Sequence, residues 1–193
     1  MYVFAHTGIT TGTALLLNSF VGGHSANAPK ERAESSAGTP AESRFGEAWV
    51  TSLGRRIDLR VLLVGSLLPD IVDKPIGRLV YGTFGYRLYC HTLLFLVVTA
   101  IAGLSLYLSR HKNWLLILAF GIFMHLVLDE VWLDPTTFLW PLKGLSLSEP
   151  AASYESVHCF YAWEAVGLVV LGWIAWVLVR RGKVRAFIRH GQV

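Results

Sequence analysis

Apolar stretches about as long as a bilayer is thick constrain this chain more than anything else in it. Leu88 to Leu108 and Phe160 to Val179 are nearly free of charge, and a helix needs about 20 such residues to cross roughly 30 Å of hydrocarbon. Tyr2 to Val21 and Trp114 to Trp132 read the same way, interrupted by His6 in one and by His125, Asp129 and Glu130 in the other. His6 stands where the basic region of a secretory leader would be, which favours a first span over a signal peptide. Leu59 to Leu68 is apolar but short for a crossing. Pro69 and Pro75 are expected to end its helix, because proline has no amide proton and disfavours helix in its predecessor. Composition agrees: 53% of residues are hydrophobic and 16% charged, far from a soluble domain. Its 193 residues suit a single integral membrane domain, an all-α polytopic bundle of about five spans with a polar pocket at the outer face.

The connections fix the expected orientation. Residues 23–56 mix Gly, Ser, Ala and Pro with scattered charge and no apolar period, which reads as a mobile polar cytoplasmic loop. Asp134 to Tyr154 reads as a loop dipping toward the interface, a depth that suits Trp132 and Trp140. Cytoplasmic segments retain positive charge. The tail at 180–193, with Arg180, Arg181, Lys183, Arg185 and Arg189, is therefore placed inside, together with Arg110, Lys112 and the basic residues of 23–56. Lys74, Arg78, Arg87 and Lys143 fall on the opposite face. The net charge of +4 is that of a tail resting on anionic headgroups, so membrane lipid is the expected partner and nucleic acid is not. The two cysteines, Cys90 and Cys159, exclude a disulfide framework and a four-cysteine zinc module. Small buried thiols, a bridge or a soft metal contact all fit them.

In that topology His6, Asp70, Asp73, His91, His125 and Asp129 all reach the outer side of the bundle. Imidazoles and carboxylates suit a divalent cation, zinc first and manganese second. His125 and Asp129 stack on one helical face by their i, i+4 spacing, and Asp70 and Asp73 are related by i, i+3. Ionisable groups at such depth are costly unless they pair, face a cavity or bind an ion. Blander roles exist for several of them: His6 as an interfacial side chain, Asp70 as a helix stop, Asp73 as partner of Lys74 or Arg78. Packing explains His125 and Asp129 poorly. Arg87 would either hold a substrate phosphate or carboxylate by a bidentate contact, or snorkel to the interface. Glu130 faces elsewhere, and Asp134, Glu155, His158 and Glu164 read as interfacial or supporting groups.

The strings Gly65-Ser-Leu-Leu-Pro-Asp-Ile-Val-Asp-Lys-Pro-Ile-Gly77, Arg87-Leu-Tyr-Cys-His-Thr-Leu-Leu-Phe95 and Gly121-Ile-Phe-Met-His-Leu-Val-Leu-Asp129, with the early His6 and Trp140-Pro-Leu142, resemble the YdjM-like family of inner-membrane metal-dependent hydrolases. The resemblance runs from His6 to about Leu142. Its second motif commonly reads His-Arg-Gly-x-Thr-His-Ser, whereas Tyr86 and Leu88 stand here in place of the first histidine and the glycine, which removes one ligand. The resemblance implies a metal-dependent hydrolase of the inner (plasma) membrane, and by analogy with zinc phospholipase C a phosphoesterase.

On that reading a cation held by some of His6, Asp70, His91, His125 and Asp129 would activate water. Asp73 would serve as general base, and Arg87 would steer a lipid or lipid-linked phosphoester. No Gly-x-Ser-x-Gly or papain-like cysteine context competes. The alternative is a non-enzymatic membrane protein that uses these groups for ion or proton transport or for partner binding. The absence of internal duplication argues against a transporter.

Overall fold

The computed structural model describes residues 3–22, 57–82, 87–144 and 157–191. The expected polar loop at 23–56, Tyr86, Glu155 and the end of the basic tail lie outside the described residues, as do the side chains of His158 and Cys159. Among the described residues all regular structure is helical: α1 (Val3–Gly22), α2 (Leu59–Tyr81), a 3-10 turn Tyr89–His91, α3 (Leu93–Arg110), α4 (Trp114–Leu128), a second 3-10 turn Val131–Leu133, the short α5 (Pro135–Phe138), α6 (Val157–Arg180) and α7 (Val184–His190).

Among the described residues two helices, Leu93–Arg110 and Tyr161–Arg180, are long and apolar enough to cross a membrane; Val3–Leu17 and Trp114–Leu128 are apolar but shorter. The expected stop at Pro69 does not occur. Helix α2 continues through both prolines, and its 23 residues extend about 35 Å at the standard rise. Inside a bundle, neighbouring helices and side chains satisfy the carbonyls that proline strands. The helix ends at Gly82, left-handed at φ 76°, whose N–H donates to the Arg78 carbonyl. Trp114 to Trp132 is likewise not one helix: α4 stops at Leu128 and the chain turns at Glu130, which adopts φ 51°.

Close backbone approaches hold the bundle together. Helices α1 and α6 cross at Gly8 and Gly167, where a Cβ on either would collide with the other helix's backbone. At the crossing of α2 and α4, a Cβ on Gly65 would lie 2.5 Å from the Leu118 carbonyl oxygen, and one on Gly121 2.8 Å from that of Leu62. Small residues at crossings are how helices associate in lipid, where packing rather than water exclusion drives contact. The distribution of polarity matches that solvent. Leu94, Val98, Ile101 and Leu104 of α3 and Val169 and Trp176 of α6 point outward, whereas Thr10, Ser66, Asp73 and His125 are fully buried.

The far end of the bundle closes on an apolar cluster of Leu15, Leu59, Leu62, Ile117, Val177 and Leu178. The tail returns to it: the Leu59 N–H donates to the Gly191 carbonyl at 3.2 Å, and Arg60 donates to that of Ile188 at 3.0 Å. Asp58 caps α2 by accepting from the Arg60 N–H. Burial alone would raise its carboxyl, but the Arg60 hydrogen bonds and charge outweigh that and hold it below the usual range. The basic tail and the start of α2 therefore share one end, and the ionisable cluster occupies the other.

Candidate metal centre

Four elements deliver the cluster. Asp70 projects from the middle of α2, His91 from the 3-10 turn ahead of α3, His125 from the last turn of α4, and Asp129 from the residue that ends it. One donor atom from each lies within 4.8 Å of all the others. His91 Nε2 and His125 Nε2 are 3.3 Å apart. Asp70 Oδ1 is 3.5 Å from the first and 3.8 Å from the second, and Asp129 Oδ2 is 3.7 Å from each. Ligands bound tetrahedrally at about 2.0–2.1 Å would be about 3.3–3.5 Å from one another. The spacing is close to that of a coordination shell.

Proton bookkeeping argues in the same direction. His125 Nδ1 lies 2.7 Å from the Ser66 carbonyl and His91 Nδ1 lies 2.7 Å from Asp73 Oδ2. Carbonyl and carboxylate oxygens can only accept, so each Nδ1 carries a proton, and in its neutral form each ring turns a bare lone pair inward at Nε2. Two neutral rings in this tautomer, 3.3 Å apart at Nε2, cannot hydrogen-bond to one another and need a proton or a cation between them. Asp70 Oδ1, buried beside them, has no hydrogen-bond partner among the described residues. Lone pairs from four side chains thus face one point, an arrangement that a cation would stabilise.

The remaining residues singled out from sequence sit around this set. Asp73 is behind His91 and outside the donor group. It is fully buried and accepts from the backbone N–H groups of Leu88, Cys90 and His91 at 3.0–3.2 Å as well as from His91 Nδ1. Those donors occupy its oxygens, so the expected roles of ligand and general base do not match its position. The reason is local: the turn from Leu88 through the 3-10 segment Tyr89–His91 aims the amides of Leu88, Cys90 and His91 at one carboxylate. Nor does Asp73 pair with Lys74. Lys74 Nζ instead reaches back one helical turn to Asp70 Oδ2 at 2.5 Å.

His6 lies beside the set rather than within it, its Nε2 3.1 Å from Asp129 Oδ1 and its ring 4.3 Å from that of His125. Arg87 donates from Nη2 to the Asp129 backbone carbonyl at 2.9 Å, and its Nε is 3.9 Å from Asp129 Oδ2. Glu164 accepts the Phe4 N–H at the start of α1, and Asp134 caps α5. The Ser66 carbonyl was not legible as a partner of His125, because a backbone acceptor leaves no residue-type signal. The two cavities that stand out among the described residues lie at the opposite end, lined in one case by Ile57, Leu62, Asn113 and Ile117 and in the other by Asp58, Arg60 and Trp114.

An all-helical bundle with apolar outer faces and a buried His/Asp group able to hold a metal ion defines a class: a helical membrane protein with a candidate metal centre. The sequence profile of the YdjM inner membrane protein family matches residues 1–188, and the chain belongs to that family. Neither a curated protein nor a solved structure matches it.

Proposed function

We propose that this chain is a multi-pass inner-membrane hydrolase whose divalent ion, zinc ahead of manganese, is held by Asp70, His91, His125 and Asp129. About five spans would set this centre in a polar pocket at the outer face, where a lipid or lipid-linked phosphoester delivers its headgroup. The observation that carries the reading is the pair of inward-facing Nε2 atoms 3.3 Å apart, flanked by two carboxylates. A bound divalent ion would supply Lewis acidity, polarising a phosphoryl oxygen and lowering the pKa of water toward ~7.

The chain's own residues do the rest. Asp73 and the Ser66 carbonyl fix the tautomer and direction of His91 and His125, the outer-sphere arrangement that raises ligand basicity. Lys74 holds the far oxygen of Asp70. Arg87, close to Asp129, supplies positive charge where an anionic substrate would arrive. A closed, non-catalytic ion is the second reading, favoured by the presence of four protein donors where catalytic zinc usually has three.

The test is headgroup release from phospholipid vesicles by purified protein loaded with zinc. Release that chelation abolishes and zinc restores supports hydrolysis. Tight zinc binding without turnover of any phosphoester supports the structural ion, and turnover unchanged after metal removal overturns the proposal.

A further inference from the structure

The four donors are not equivalent, and the difference points to where substrate would bind. Asp70, His91 and His125 are 3%, 1% and 0% exposed, whereas the Asp129 side chain is 13% exposed. The three buried donors are each held from behind: Asp70 by Lys74, His91 by Asp73 and His125 by the Ser66 carbonyl. Asp129 belongs to the chain reversal after α4 rather than to the helix itself. Its second oxygen already has a site away from the donor set, 3.1 Å from His6 Nε2. Arg87, 28% exposed, stands on the same side, bonded to the Asp129 carbonyl and 3.9 Å from Oδ2.

We infer that Asp129 is the exchangeable ligand: Asp70, His91 and His125 form a permanent three-donor seat, and a water or a substrate phosphoryl oxygen takes the place of Asp129 Oδ2. His6 retains the displaced carboxylate through Oδ1, as a positioning residue, and Arg87 meets the incoming anion. A carboxylate with one oxygen toward the ion and the other on an imidazole exchanges without leaving a buried charge unpaired. This inference rests on the proposed metal centre and divides its donors into three fixed and one replaceable, the open coordination that catalysis requires.

The full chain, purified in detergent and loaded with Co²⁺ alone, tests it. Asp129→Ala and the near-isosteric Asp129→Asn should retain Co²⁺ with affinity reduced about 10- to 100-fold, with a visible spectrum changed toward added water. Asp70→Ala and Asp70→Asn should lose the ion. Inorganic phosphate should perturb the wild-type spectrum, and Arg87→Ala should need at least several-fold more phosphate for the same change. Helicity and monodispersity of each variant separate loss of a ligand from loss of fold. Equal loss of Co²⁺ in folded Asp129→Asn and Asp70→Asn overturns the division, as does a wild-type spectrum indifferent to phosphate. Absence of Co²⁺ from the wild type overturns the metal centre itself.

Discussion

Replacing Asp73 by asparagine changes little volume and tests the orientation of His91 directly. Asp73 Oδ2 accepts from the Leu88, Cys90 and His91 amides at 3.0, 3.0 and 3.2 Å and from His91 Nδ1 at 2.7 Å, while Oδ1 lies 3.2 Å from the Cys90 amide. An asparagine that keeps its oxygen at the Oδ2 position turns its NH₂ toward the Cys90 N–H, donor against donor. Every retained bond also loses its charge assistance, worth about 1 kcal/mol each in the difference between charged and neutral hydrogen bonds. The variant should lose at least about 4 kcal/mol of stability and bind zinc 10- to 100-fold more weakly, the usual consequence of removing an outer-sphere carboxylate. Zinc titration against a competing chelator, with a thermal melt of the metal-free protein, measures both quantities. An asparagine variant with wild-type zinc affinity would refute the claim that Asp73 orients His91.

Three further outcomes are expected. Gly121→Ala should destabilise the bundle by about 1–3 kcal/mol through overpacking against the Leu62 carbonyl, whereas Gly172→Ala, with open space around it, should be neutral or stabilising by up to about 1 kcal/mol; equal melting points for the two would contradict the tight crossing. Zinc affinity should fall as pH drops from about 8 to about 5, since protons compete for both Nε2 lone pairs, and a flat profile in a chelator competition would exclude imidazole ligation. Asp58→Ala should cost about 1 kcal/mol as a lost N-cap. Because the folded carboxyl is held low, its contribution is present above the ordinary carboxylate range and fades as pH falls through the lowered value, which stability measured at several pH values would reveal.

The all-helical class and the convergence of His6, Asp70, His91, His125 and Asp129 were legible because apolar run lengths alternate the chain end to end, and i, i+4 spacing stacks His125 on Asp129. What sequence misjudged was local. From sequence Pro69 and Pro75 read as helix stops, yet α2 runs through both, and helix packing in a bundle tolerates prolines that a propensity scale does not. Asp73 reads as a ligand from sequence because residue type does not reveal which way a carboxylate turns; three amides from the Leu88–His91 segment determine that, and backbone donors have no letter code. Pairing Asp73 with Lys74 failed for a geometric reason: adjacent residues on a helix diverge, whereas Asp70 and Lys74, four apart, meet.

The account stands or falls on a cation between His91 and His125. Anomalous scattering at the zinc edge, from crystals of the protein purified with zinc, measures this directly. The account predicts a single strong peak about 2 Å from both Nε2 atoms, absent in a folded His91→Ala variant. Well-ordered imidazoles with no anomalous density between them, in protein kept saturated with zinc, would contradict it.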